Sequence, residues 1–185
     1  MIWKLQRLLY WAAIPHLAVW IVALQAVVYF ALQSPVRGLQ PDEMLDRLLL
    51  RPDLVLAGEW WRVLTFLLVP PLGNPLMLFL TWYMFWLFGS GLENYWGTFR
   101  FNLYLWIGWI ATVAASLATQ QLVVSNFFMQ TSVFLAFAAL CPEFLIRIYF
   151  ILPIPIKWLA ALTWIMLVWS FSVGDWSRRV TILAS

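Results

Sequence analysis

The sequence predicts an all-α polytopic membrane protein with five spans and the start of a sixth, in a single domain over residues 1–185. Three observations carry that expectation. Hydrophobic residues make up 64% of the chain and charged residues 10%, whereas a soluble domain carries about 25% charged residues. The apolar residues fall into runs near span length, roughly 20 residues each. Fourteen tryptophans suit the interfacial belts of a membrane protein better than a soluble core.

Each element can be justified in order. Lys4 and Arg7 make a charged start, but the apolar run behind them is span-length and lacks a small-residue cleavage site. It therefore reads as span 1, over residues 10–32, and not as a signal peptide. Pro15 lies early in it, where a missing N–H is tolerated, and His16 reads as a hydrogen-bonded or interfacial histidine. Residues 33–74 form a first loop, amphipathic and partly membrane-embedded. Within it, QPDEMLDRLLLRPDL predicts a short helix. Pro41, Asp42 and Glu43 suit its first turn, and Arg47 and Arg51 its last. Met44, Leu45, Leu48 and Leu49 supply an apolar face, so the segment lies in the interface plane.

The next stretch, WWRVLTFLLVPPLGNP, is too short to span, and Pro70-Pro71 stop it. A re-entrant or interfacial helix follows from that length. Span 2 covers 75–91 and is short. Span 3 covers 101–124. A turn at Ser125-Asn126 leads into span 4, over 127–141, also short. PEFLIRIYFILPIPIK reads as a turn-rich connector marked by Pro142, Pro153 and Pro155, and span 5 follows over 156–173. The apolar start after Arg179 reads as a sixth span that begins at Val180 and is cut off.

Charge and composition exclude several classes. The net charge is +3, with basic residues beside spans, so nothing supports nucleic-acid binding. One cysteine, Cys141, and one histidine, His16, exclude a disulfide within the chain, a cysteine metal cluster and a multi-histidine metal site. No metal and no cofactor are expected. The acids Asp42, Glu43, Asp46, Asp53 and Glu59 interleave with Arg47, Arg51 and Arg62 and read as a mutually neutralising, solvated face. Arg147 and Lys157 read as interfacial anchors. The basic residues divide almost evenly between the two sides, and only Lys4 and Arg7, offset by no acid, lean towards a cytoplasmic N-terminus.

One acid stands in an apolar aromatic run. In WYMFWLFGSGLENYWGTFR, Glu93 is flanked by Gly89, Gly91 and Gly97. An acid at the centre of a membrane helix costs roughly 2.5–3.5 kcal/mol on insertion scales. Gly89, Glu93 and Gly97 are spaced i, i+4, i+8, one stripe of a helix. Small residues admit a close neighbour, whose backbone N–H groups could tether to the carboxylate. The competing reading is a glutamate at headgroup level, simply solvated.

Three motifs in this order, WRVLTF at 61–66, GSGLENYWGTFR at 89–100 and LCPEFLIRIYFILPIPIKWLA at 140–160, resemble the rhomboid family of intramembrane serine proteases and its derlin-like and inactive relatives. The resemblance implies a rhomboid-like helical bundle. It also implies architectural roles: Trp61, Arg62 and Glu93 would hold the embedded first loop, with Gly89 and Gly97 as packing positions.

The resemblance also says where chemistry belongs. Active rhomboids carry a serine within G-x-S-G at the start of span 4, a histidine in span 6, and a His and an Asn in span 2 beside the oxyanion. Here the span 2 positions fall on Met77 and Thr81, and the serine position falls near Phe127. No glycine lies between Gly108 and Gly174, so no G-x-S-G exists in any register. Ser132 and Ser125 are the nearby serines, read as a packing hydroxyl and a loop cap. A nucleophilic serine needs a base and oxyanion donors.

The expectation is therefore a pseudoprotease that binds transmembrane helices of client proteins or perturbs the lipid bilayer. The short spans 2 and 4 agree with bilayer thinning. One alternative is an active protease with a displaced serine, Ser132 or Ser125, and a histidine beyond Ser185. Another is a small transporter or structural membrane subunit, disfavoured because the spans hold almost no ionisable residue besides Glu93 and His16.

Overall fold

The computed structural model describes residues 13–33, 41–71, 73–119, 126–148 and 152–173. Their regular secondary structure is helical except for one short hairpin. In chain order the elements are α1 (Leu17–Gln33), α2 (Pro41–Leu48), α3 (Pro52–Leu56), α4 (Arg62–Thr65), a 3₁₀ turn (Phe66–Leu68), α5 (Pro75–Trp96), α6 (Thr98–Thr119), α7 (Phe127–Leu140), the strands β1 (Leu145–Ile148) and β2 (Leu152–Pro155), and α8 (Ile156–Val173). Among the described residues, two helices are long and apolar enough to cross a membrane: Pro75–Trp96 and Thr98–Ala118. The apolar stretches Leu17–Gln33, Met129–Leu140 and Ile156–Trp169 are shorter.

The first helix begins later than the hydropathy run. Pro15 and His16 form a turn ahead of α1, and His16 takes φ +56°. Its carbonyl accepts from Val19 and Trp20 N–H at 2.9 and 3.2 Å, which starts the helix. Ala18, Ile21 and Gln25 form the buried face of α1, one side of a helix at i, i+3, i+7.

The central helix α5 is longer than expected. It runs 22 residues, about 33 Å at 1.5 Å per residue, so span 2 is not short. The side chain of Asn74 accepts from Leu76 N–H at 2.9 Å, and Pro75 fills the first turn, where its missing N–H costs nothing. Gly89 and Gly91 do not end the helix. A Cβ on Gly89 would lie 2.6 Å from Ala18 Cβ, and one on Gly91 would lie 2.5 Å from the Phe137 ring. The glycines therefore seat α1 and α7 against α5. The helix ends at Gly97, whose φ of 83° and ψ of 154° belong to a region essentially reserved for glycine. One residue thus joins α5 to α6.

The main core lies where these helices meet: Phe85, Phe88 and Leu92 of α5, Phe101 and Leu105 of α6, and Val133 and Phe137 of α7, with Ala18 and Ile156 closing the ends. Helix α7 has 14 residues, about 21 Å, as short as expected. A smaller core under the first loop groups Leu50 and Phe66 with Val55, Val63 and Trp109.

The connector before α8 is a hairpin, not a run of turns. Leu145 pairs with Pro155 and Arg147 with Pro153 in antiparallel register. Ile156 N–H donates to the Phe144 carbonyl at 2.8 Å. Alternation along the ladder then places both prolines at positions that need no N–H. The expected sixth span, residues 1–12 of the N-terminal run and the end of span 3 lie outside the described residues.

Beside the apolar core, several polar side chains are buried and many large apolar ones are exposed. Gln25, Arg62, Glu93, Asn102, Thr112, Ser116 and Asn126 are buried, while Trp20, Phe30, Phe79, Ile107, Trp164 and Trp169 are exposed.

Candidate functional site

The first loop has irregular backbone, and its carbonyls need donors. A buried polar group without a partner costs roughly 1–3 kcal/mol. Arg62, at 3% exposure, supplies several of them. Its Nη1 donates to the carbonyls of Asp46 and of Leu49, the latter at 3.1 Å. Its Nε donates to Glu59 at 2.6 Å. Thr65 Oγ1 reaches Leu48 O at 3.2 Å, and the indole N–H of Trp109 reaches Val63 O at 2.8 Å. One guanidinium and two neutral donors thus bind α2, α4 and their link together.

Beyond the 3₁₀ turn, Val69 is extended ahead of Pro70, the conformation a following proline favours. The carbonyls of Leu67 and Val69 then have no helical donor. Gln25 Nε2 donates to Leu67 O at 2.9 Å. Asn126 Nδ2 donates to Leu67 O at 3.2 Å and to Val69 O at 3.0 Å. The free oxygen of Gln25 accepts from Trp82 Nε1 at 3.0 Å. This clamp was not expected. Its sequence signal is an amide inside an apolar helix, where it stands only if its hydrogen bonds are met.

Glu93 holds a different segment from the one the resemblance implies. It is 6% exposed, and its Oε1 accepts from the backbone N–H of His16 at 2.9 Å and from Thr98 Oγ1 at 3.0 Å. The carboxylate therefore ties the turn before α1 and the start of α6, not the first loop. Asn102 of α6 assists, donating to Ile14 O at 3.0 Å. Of the three residues on the expected stripe, Gly89 packs and Glu93 accepts, while Gly97 lies beyond the helix with open space where a Cβ would stand. Trp61 is 45% exposed, and among the described residues no hydrogen bond of its indole is found. It lines an open cleft with Glu43, Asp46, Arg47, Glu59 and Arg62.

Part of the first loop's acids and bases pair, while Glu43 and Arg47 are in none of the ion pairs found among the described residues. Arg51 pairs with Asp46 at 3.3 Å and with Asp53 at 3.1 Å. The hydrogen bond from Arg51 holds the exposed Asp53 carboxyl below its usual range, and that of Asp53 raises Arg51. Lys157 pairs with Glu143 at 2.7 Å across the base of the hairpin.

The positions assigned to chemistry have other partners where they are described. Met77 is 48% exposed on the outer face of α5. The hydroxyl of Thr81 donates to Met77 O at 2.8 Å within its own helix. Ser132 Oγ, on α7, is hydrogen-bonded to the phenol oxygen of Tyr104 on α6, which makes it a contact between two helices. Ser125 lies outside the described residues. Among the described residues no group of three or more His, Cys, Asp or Glu side chains gathers.

No protein-family model, no curated protein and no solved structure matches this chain.

Proposed function

We propose that the chain is a multi-pass, rhomboid-like membrane protein that binds transmembrane helices of other proteins, or deforms the bilayer around it, without cleaving peptide bonds. The membrane reading rests on the extent of exposed apolar surface and on two helices long and apolar enough to span. Large apolar side chains face outward on α1, α5, α6 and α8, a surface that a lipid bilayer or partner helices within it would cover. Five spans would then be α1, α5, α6, α7 and α8, with the N-terminus on the cytoplasmic side.

One observation carries the non-cleaving reading. Where the resemblance would put the oxyanion donors, Met77 offers none and Thr81 gives its proton to its own helix. Removing one such donor costs about 10²–10³ in rate in a soluble serine protease. Helix α7 supports a role on the bilayer: at about 21 Å it is shorter than the roughly 30 Å of hydrocarbon, and a short apolar element thins the bilayer or recruits partners.

The test is covalent labelling of the protein in liposomes by a fluorophosphonate probe. The proposal expects no labelled band. Labelling that disappears in Ser132→Ala or Ser125→Ala would instead establish a displaced nucleophile.

A further inference from the structure

Glu93 and Asn102 each leave one side-chain oxygen without a partner: Oε2 of the carboxylate and Oδ1 of the amide. Both residues are more than nine-tenths buried, at 6% and 4% exposure. Their other atoms are engaged at the same turn. Glu93 Oε1 takes the His16 N–H, and Asn102 Nδ2 gives to the Ile14 carbonyl, two residues earlier. That second bond also fixes the orientation of the Asn102 amide, because only its NH₂ can donate to a carbonyl. Both orphan oxygens thus belong to side chains that hold one turn, where α5 and α6 meet the start of α1, and a carboxylate oxygen and an amide oxygen can only accept.

Among the described residues the ion pairs are Arg51–Asp46, Arg51–Asp53, Arg62–Glu59 and Lys157–Glu143, and none involves Glu93. Buried charges are ordinarily paired or coordinate a cation.

We infer that Glu93 Oε2 and Asn102 Oδ1 form a binding site for one alkali cation, Na⁺ or K⁺. A monovalent ion matches the single carboxylate, leaving the occupied site neutral. Oxygen donors suit a hard cation, and Ile14 O and Thr98 Oγ1, hydrogen-bonded to the other ends of the same two side chains, are the further oxygens of this turn. Gly97 and Arg100 are exposed nearby at the end of α5 and the first turns of α6, so an ion need not cross the core to arrive. The bound ion would lock the turn at Pro15-His16 onto α5 and α6 and fix how α1 sits in the bundle.

The test is thermal unfolding of the purified full chain in detergent, in NaCl, KCl and N-methylglucamine chloride at equal ionic strength. Saturation should raise the midpoint in one or both alkali salts by about 2–4 °C over N-methylglucamine. Glu93→Gln keeps the acceptor for His16 and Thr98 but removes the charge, so its midpoint should be the same in all three salts. Asn102→Leu should shrink the shift by at least half. Equal midpoints in the three salts for the parent would overturn the site. So would an alkali-specific shift that persists undiminished in Glu93→Gln or in Asn102→Leu.

Discussion

The carboxylate of Glu93 accepts the backbone N–H of His16 at 2.9 Å, across 77 positions of the chain. His16 has φ +56°, a conformation that is uncommon outside glycine and that costs of order 1–3 kcal/mol unless its surroundings impose it. Glu93 is one of the groups that impose it. In N-methylglucamine buffer, Glu93→Gln should therefore unfold near the parent temperature, because the amide oxygen still accepts. Glu93→Leu leaves the His16 N–H and the Thr98 hydroxyl unpaired and should cost roughly 1–3 kcal/mol. A parent-like midpoint for Glu93→Leu would mean that the tie is dispensable.

Gly89 should tolerate no side chain unless its neighbour shrinks. The added methyl of Gly89→Ala would lie 2.6 Å from Ala18 Cβ, and overpacking of this kind costs about 1–3 kcal/mol. Ala18→Gly removes the atom in the way, so the double substitution should recover most of the loss. Unfolding midpoints of the two single variants and the double variant decide it. Equal destabilisation by Gly89→Ala with and without Ala18→Gly would contradict the packing of α1 on α5.

Gly97 should fail for another reason. Nothing crowds it, yet Gly97→Ala must hold φ 83° and ψ 154°, at a cost of about 1–3 kcal/mol. No shrinking of a neighbour should rescue it. Rescue by a smaller residue on an adjoining helix would show a packing role after all.

Gln25→Leu should loosen the first loop. It strips a donor from Leu67 O and an acceptor from Trp82 Nε1, two losses in a buried place. Limited proteolysis within residues 53–60 should quicken several-fold, and Arg62→Lys should act in the same direction, since an ammonium cannot reproduce the fork that spans Glu59, Asp46 and Leu49. Unchanged proteolysis in both variants would remove the clamp from the account.

How much of this was legible depended on whether a feature is local. The extent of α7 and α8 followed from hydropathy, and the stop at Pro70-Pro71 from the missing N–H groups. Gly89 and Gly97 look alike in sequence, because spacing alone cannot tell a glycine that admits a neighbour from one that turns the chain. Span 2 reads as short for the same reason: Gly91 looks like a terminator in sequence, whereas the Phe137 ring fills the space beside it. Gln25 and Asn102 give no local signal, and Asn126 reads only as a turn residue, since an amide declares its role through a distant partner. The hairpin was hidden by Pro153 and Pro155, which break a strand inside a sheet but not at an edge.

Topology offers a test of the five-span arrangement. Single cysteines at positions 4, 47 and 100 in a Cys141→Ala background should react with an impermeant thiol reagent from opposite sides, positions 4 and 100 together and position 47 apart. Positions 47 and 100 reacting from the same side would contradict it.

The central claim is that this bundle engages transmembrane helices and leaves their peptide bonds intact. The most direct measurement is co-reconstitution in liposomes with a set of single-span substrates, each carrying a photo-crosslinking residue, with fragments and adducts read from the same gel. The account expects adducts within the membrane span of at least one substrate and no cleavage fragment. Fragments that appear with the parent and vanish in Ser132→Ala would contradict it.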